Sequence, residues 1–498
     1  MIVAKFGGTS VADADAISRV IEIVRGRAAG NAGGHGAAPD KQVVVVVSAF
    51  AGVTDELLAA GRLAASGNLR AALSKTAELR ARTMAIAAEL LGTASLRTRT
   101  WPAQSRKGPV QNQHPAVWDL EALLAKLEEL LRGTDALREF SPRTTDAVLA
   151  TGELVSSRLI AAAMETAGVK AEFVDARKCV VTNAQHTRAW PLMTRTEAAL
   201  TERVVPLLER GITPILGGFI GATSSGTTTT IGRGGSDFSA AIIARCLEAE
   251  RVEIWTDVDG IMTCDPRICP DAQTVDEVSF EEAAQLAWFG AKVVHPATLV
   301  PAIEKDIPVH VLNSFNPGGP TTRITRQGAG RGHRAKAVAG KKGVSVFGVS
   351  GERSPDPRGF LQNVFNVFDR NGKHLELVCS AENSVSVAVA VGDKADEIRA
   401  ELAQLGQVEY EAGKAIVCVV GENLFASPDV IARVFGALQG VDVRMVSQGA
   451  SKSNIALVVD EVHMAAAARQ LHAALFDNGD LGLDLGVQAT FEGGRANA

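Results

Sequence analysis

The chain has 498 residues, which at the usual domain size divides into about three domains and is long enough to bury its cores without disulfide or metal staples. A net charge of −5 argues against a dedicated nucleic-acid or anionic-membrane surface, and 46% hydrophobic with 21% charged residues is the balance of a globular chain. No apolar run approaches the ~20 residues of a membrane helix, the start MIVAKFGG carries no signal-peptide pattern, and six scattered cysteines form no C-x-x-C pair, so a cytoplasmic protein with reduced thiols is expected.

Residues 2–6 form a short apolar strand ending in Gly7-Gly8, and Ile17, Val20, Ile21 and Val24 recur at helical spacing over 12–28. Residues 30–40 read as a loop. The five valines at 43–47 are the signature of a strand buried on both faces of a parallel sheet. Helices are predicted over 54–65 and 69–91, then a polar loop over 93–116, then helices over 118–131 and 145–167. Strands at 171–174, 214–217 and 251–256 alternate with helices at 196–210 and 236–247. This alternation predicts an α/β domain over residues 1–315, a mainly parallel sheet sandwiched by helices. Residues 316–340 are rich in Gly, Pro and Arg and read as a linker with one short strand at most. Beyond them the pattern is β-α-β-β-α at 344–349, 359–370, 374–380, 385–391 and 393–405. A similar order returns at 415–420, 428–438, 442–447, 454–459 and 462–475. This is an internal repeat of the ferredoxin-like βαββαβ kind, giving two small domains at 341–413 and 414–498 that pack on each other, interleaved or not, or on another subunit.

Five segments carry residue types suited to chemistry. In Lys5-Phe6-Gly7-Gly8-Thr9-Ser10 a strand delivers a cation to two glycines ahead of a helix, which fits either a phosphate cradle or a plain strand-to-helix turn. The hydroxyls of Ser48 and Thr54 follow the most buried strand, where open α/β sheets bind ligands, although Thr54 equally fits a helix cap. TTTTIGRGGSD at 227–237 sets Arg233 among glycines and opens a helix with Gly235, Ser236 and Asp237; its Arg suits a carboxylate or phosphate. Asp237 stands where a dinucleotide fingerprint needs its third Gly, so a Rossmann reading is rejected. The fourth runs from Thr256 and Asp257 through Met262 to the cations Arg267 and Lys292 and suits a nucleotide; His295 nearby has no partner histidine and is left out of the site. In the fifth, Thr151-Gly152-Glu153, a carboxylate in an Ala- and Leu-rich helix faces either solvent or a substrate ammonium group.

Taken jointly and in this order, KFGGTSVAD, SAFAGVTD, TGE, GRGGSD, WTDVDGI, DPR and FGAKVVHP resemble the aspartate kinases of the amino-acid-kinase family, over nearly the whole chain. The C-terminal repeats, with SQGAS at 447–451 and Asn454-Ile455, resemble the paired ACT regulatory domains of such enzymes. The resemblance implies transfer of the γ-phosphoryl group of MgATP to the β-carboxylate of L-aspartate, the first step toward lysine, threonine and methionine. Lys5, Gly7, Gly8, Ser10, Thr256, Asp257, Met262, Arg267 and Lys292 would hold ATP, with Met262 standing where an aromatic is expected. Ser48, Thr54, Glu153, Arg233, Gly235 and Ser236 would hold aspartate, Glu153 at its ammonium and Arg233 at its α-carboxylate. Lys5 and Asp237 would be catalytic, with Mg2+ carried by ATP and no direct protein ligand assigned. The ACT pair implies an amino-acid effector such as lysine or threonine and a homo-oligomer. Gly359, Phe360 and Leu361 match the lysine-sensitive pattern, but Glu376 replaces an Asp and Ser380-Ala381-Glu382 replaces a Thr-Ser-Glu run, so the effector pocket is altered. The chain stops after the ACT repeats, without a homoserine dehydrogenase half. Rival readings are another amino-acid kinase, such as one for glutamate, and a non-catalytic amino-acid-binding regulator; an NAD-linked dehydrogenase lacks its fingerprint.

Overall fold

The computed structural model describes residues 1–29, 42–92, 114–232, 234–291, 294, 296–328, 335–351, 358–390 and 392–477. The loop expected at 30–40 and most of the one at 93–116 lie outside them, as do Arg233 and Lys292. The first region contains β1 (Ile2–Phe6), α1 (Ala14–Ala28), β2 (Val43–Val47), α2 (Val53–Ala65), α3 (Leu69–Leu90), α4 (Pro115–Leu137), α5 (Pro142–Thr166) and β3 (Ala171–Val174). It continues with β4 (Val181–Thr182), α6 (Met193–Arg203), α7 (Val205–Glu209), β5 (Thr213–Gly217), β6 (Ile220–Thr223), β7 (Thr228–Thr230) and α8 (Gly235–Cys246). It closes with β8 (Arg251–Thr256), β9 (Glu277–Ser279), α9 (Phe280–Trp288), α10 (Pro296–Glu304), β10 (Val309–Asn313) and β11 (Thr322–Thr325).

Eight of these strands form one sheet in the order β3-β5-β2-β1-β8-β10-β11-β9, parallel from β3 through β10. The five valines of β2 sit near its middle and are all buried, as a strand covered by helices on both faces requires. Phe6 and Trp255 face each other across β1 and β8 with rings stacked 5.8 Å apart. Helix α5 is long and apolar enough to cross a membrane by length and composition, but 89% of its apolar window is buried inside the protein, so it is a core helix. The single helix expected over 196–210 is two, because Pro206 sits in the first turn of α7 and cannot donate to the preceding turn. The threonine run, which lies outside the expected strands, forms β7 of a small second sheet, β4-β6-β7.

The linker expected at 316–340 is not free of structure. Strand β11 pairs antiparallel with β10 and extends the large sheet, and β12 (Ala335–Ser350) begins inside the same stretch. After it come α11 (Arg358–Arg370), β13 (Leu375–Ala381), β14 (Ser384–Val389), α12 (Ala395–Leu402), β15 (Gln407–Gly421), α13 (Pro428–Ala437), β16 (Val443–Gln448), β17 (Asn454–Asp460) and α14 (Met464–His472). Six strands make one antiparallel sheet, β13-β14-β12-β15-β17-β16. The boundaries expected at 341 and 414 fall inside single strands. Ala337 to Lys341 of β12 pair with Val420 to Ile416 of β15; after irregularities between Lys341 and Val346, the rest of β12 pairs with the first half of β15, ending at Ser350 opposite Gln407. Phe347, Val364, Phe368, Val387 and Ile398 form the core of one half. Val417, Val430, Ile455, Leu457 and Leu471 form the core of the other, and Cys264 and Cys269 from the first region enter it with their Sγ atoms 2.9 Å apart. On the opposite face, Ile416, Cys418 and Ala456 continue into the apolar core that holds Ala283 and Leu286 of α9.

Candidate active site

Parallel register places the C-terminal ends of β5, β2, β1 and β8 side by side at one edge of the sheet, and the loops that leave them carry the predicted chemistry. From β1, Lys5 reaches across to Asp237 in the first turn of α8, Nζ to Oδ1 2.6 Å. Both side chains are largely buried, 11% and 14% exposed, so this cation and anion meet in a protected crevice where their charges count for more than on a surface.

Glu153 lies on the neighbouring side. Its side chain is buried, Oε1 accepts the Ala49 amide at 3.4 Å, and among the described residues no hydrogen-bond partner reaches Oε2. Burial pushes its carboxyl up to about 8, with the Ala49 amide opposing the rise only in part. Its second oxygen is thus left able to accept a hydrogen bond. Two glycines make the approach of these elements possible. A Cβ on Gly152 would sit 2.8 Å from the Ala49 Cβ, so glycine lets α5 close onto the loop after β2. A Cβ on Gly218 would sit 2.7 Å from Cα and Cβ of Ser236, so glycine lets the end of β5 touch the start of α8. Glu153 thus approaches Gly217, Gly218 approaches Ser236, and Asp237, next to Ser236, holds Lys5.

Other predicted residues fall as follows. Ser48 and Thr54 are half-buried; α2 takes Gly52, not Thr54, as its N-cap, so the Thr54 hydroxyl is not spent as a cap. Gly235 is the first residue of α8 and packs against Phe219. Two groups expected to meet phosphate are instead engaged inside the protein. The Gly7 amide donates to the Trp255 carbonyl at 3.1 Å, and the buried Ser10 hydroxyl accepts from Ser314 at 2.8 Å and donates to the same carbonyl at 3.4 Å. They hold the turn rather than present bare donors, because Trp255 stands beside it on β8. Thr256 is half-buried and donates to Asp257, which is exposed, and the half-buried Met262 accepts from Thr274 through its sulfur. Arg267 is 88% exposed and forks onto Asp265 at 2.6 Å, in the loop bounded by Cys264 and Cys269, so its near contacts lie toward the C-terminal half and not at the Lys5–Asp237 pair.

Among the C-terminal candidates, Gly359, Ser380 and Glu382 are exposed and Phe360 and Leu361 half-buried. The side chain of Glu376 is 6% exposed and bound by Lys341, Nζ to Oε1 2.6 Å, while that ammonium also lies 5.5 Å from the ring of Trp288 at the end of α9.

Three residues absent from the sequence reading shape the crevice. Phe219 has φ +63, a left-handed conformation that a bulky residue rarely holds, and is fixed by its amide donating to Ser239 and its carbonyl accepting from Ile231. Arg82 of α3 donates to the carbonyls of Ala51 and Ala12 at 2.9 and 3.0 Å, tying the loop after β2 to the one after β1. Asp146 of α5 is wholly buried and accepts from His186, Thr187 and Thr230. The Gly-Gly before Phe219 was a signal; Arg82 and Asp146 have none, since their partners are remote in the chain.

Residues 1–313 match the amino acid kinase family and residues 417–475 an ACT domain. The lysine-sensitive aspartokinase 3 of Escherichia coli is 34% identical over 486 residues, covering 96% of this chain and 99% of its own. The chain belongs to the aspartokinase family. The chloroplastic aspartokinase 1 of Arabidopsis thaliana is 33% identical over 492 residues, covering 96% of this chain and 81% of its own. Crystal structures of E. coli aspartokinase III, one with aspartate and ADP in the R-state and one with lysine and aspartate in the T-state, superpose with TM-scores of 0.76 at 33% identity over 96% of this chain. The aspartokinase relatives thus span both the parallel α/β region with its crevice and the antiparallel sheet, and the protein is a phosphotransferase of that family.

Proposed function

We propose that the chain transfers the γ-phosphoryl group of MgATP to the β-carboxylate of L-aspartate in the crevice at the strand ends, giving 4-phospho-L-aspartate. The reading rests above all on two features at the strand ends: the largely buried Lys5–Asp237 pair and the buried Glu153, whose Oε2 has no partner among the described residues. A carboxylate with an ordinary pKa near ~3.9 is already a nucleophile at neutral pH, so no general base is needed. The barrier is the approach of one anion to another, and the protein's task is positive charge and alignment. Lys5 supplies a cation whose position Asp237 fixes. Glu153 gives up its proton when the substrate ammonium arrives and then holds the amino end, leaving the side-chain carboxylate directed toward Lys5. By the resemblance, Ser48, Thr54, Gly235 and Ser236 hold the same aspartate, and Arg233 takes its α-carboxylate. For the nucleotide, Gly8, Thr256, Asp257, Met262, Arg267 and Lys292 are assigned by resemblance. Mg2+ arriving with ATP would neutralise phosphate charge, and Asp237, an oxygen donor beside Lys5, is the group suited to face it.

The division of labour proposed is catalysis by residues 1–315 and amino-acid sensing by the six-stranded sheet, with association of copies through that sheet as the ACT resemblance implies. The E. coli relative's lysine complex supports lysine as the first effector to try, threonine as the second. A hydroxamate assay with ATP and aspartate, with glutamate as control, tests the activity. Product with aspartate and not with glutamate is expected; product with glutamate alone, or with neither, refutes the reading.

A further inference from the structure

The helix that carries Glu153 carries a second buried carboxylate two turns earlier, on the same face. Asp146 is fully shielded from solvent, and among the described residues no Lys or Arg pairs with it. Three donors from two other pieces of chain converge on it. His186 Nδ1 lies 2.6 Å from Oδ2, the Thr187 amide donates to Oδ1 at 3.0 Å, and the Thr230 hydroxyl donates to Oδ1 at 2.6 Å. His186 and Thr187 belong to the turn between β4 and α6. Thr230 ends β7, three positions before Arg233 and six before Ser236. Thr187 is itself in the left-handed region at φ +67, held there through the amide that Asp146 accepts, and its carbonyl faces Gly232. Asp146 therefore joins β7, and a strained turn that packs on Gly232, to the helix whose next turns present Glu153.

We propose that Asp146 is a positioning residue for aspartate recognition, setting the spacing between Glu153 and Ser236 at the start of α8. The inference rests on the reading that these two places grip the two ends of aspartate. A group that only stabilised the fold would affect both substrates alike. A group that sets this spacing affects aspartate and spares ATP, because Lys5 and the ends of β1 and β8 do not touch it.

The test compares Asp146→Asn, Thr230→Val, Thr230→Ser and Glu153→Ala with the parent full-length enzyme, measuring KM for each substrate, kcat and melting temperature. Asp146→Asn should raise the aspartate KM about tenfold or more with the ATP KM within about twofold, the size expected of a misplacement remote from the reacting atoms. Thr230→Val should shift the same constant in the same direction, and Thr230→Ser should restore it. Equal changes in both KM values, no change, or a Thr230→Ser enzyme that behaves like Thr230→Val overturns the proposal. If Asp146→Asn does not fold, the Thr230 pair decides alone. A raised aspartate KM in Glu153→Ala with none in the Asp146 and Thr230 variants defeats the positioning role only. A parent enzyme without aspartate-dependent turnover defeats the underlying reading.

Discussion

Glu153 offers a prediction whose size follows from its surroundings. An unfolded chain releases this proton near the ordinary value of 4.5, while burial holds it in the folded enzyme up to about 8. Between those two values the folded state keeps a proton that the unfolded state has lost, so stability falls as pH rises through that window and the loss is complete above 8. The full penalty is about 5 kcal/mol, and the part incurred between pH 5.5 and 8.5 about 3 kcal/mol. Glu153→Gln removes the titration while keeping the shape. Its stability advantage over the parent, read from urea unfolding of the unliganded enzymes, should therefore be small at pH 5.5 and larger by about 3 kcal/mol at pH 8.5. Saturating aspartate should narrow the gap at high pH by giving the carboxylate an ammonium partner, and should do so in the parent only. In turnover, the aspartate KM of the parent should fall as pH rises toward 8, because binding below that value must expel a proton. An advantage that is the same at both pH values would refute the reasoning, since it would mean the carboxyl titrates normally in the folded state.

Lys5→Met should abolish turnover by orders of magnitude and, by leaving Asp237 buried without its cation, cost about 3 kcal/mol of stability. The double variant with Asp237→Asn should regain much of that stability and none of the activity; recovered activity would remove Lys5 from the chemistry. Gly218→Ala should lower kcat/KM for aspartate about tenfold or more, because its Cβ would drive Ser236 away; unchanged kinetics would place Ser236 outside the site. If free lysine is the effector, it must compete with Lys341 for Glu376, so Lys341→Met should inhibit at about tenfold lower lysine than the parent; equal sensitivity would show that Glu376 does not contact the effector.

The elements legible in the sequence are those whose pattern is local. Five valines announce β2, and Arg251–Thr256 reads as the strand it is, because a two-sided apolar strand needs no knowledge of its neighbours. Asp237 and Ser236 were legible because glycines and a helix start bracket them. What stayed hidden depends on distant partners. Thr228–Thr230 carries no apolar alternation that would announce a strand and becomes one by pairing with β6, and the engaged Ser10 hydroxyl depends on Ser314, 304 residues away. The Arg82 clamp joins carbonyls 31 and 70 residues back along the chain, which no periodicity reports. The short strands read at 344–349 and 415–420 are parts of longer ones, since the pairing of β12 with β15 continues past both expected boundaries through a shift of register between Lys341 and Val346.

The passage of β12 and β15 through both halves of the six-stranded sheet has a consequence for regulation and for engineering. The two halves share a pair of strands, and the shift of register between Lys341 and Val346, with Gly343 and Gly413 in the left-handed region, is where the sheet bends between them. The face below rests on α9, the helix that leads into the FGAK segment. Neither unit can be excised or exchanged with a relative's by cutting at a boundary in the chain. A transplant that leaves both halves intact must carry the sheet across entire, from residue 335 onward.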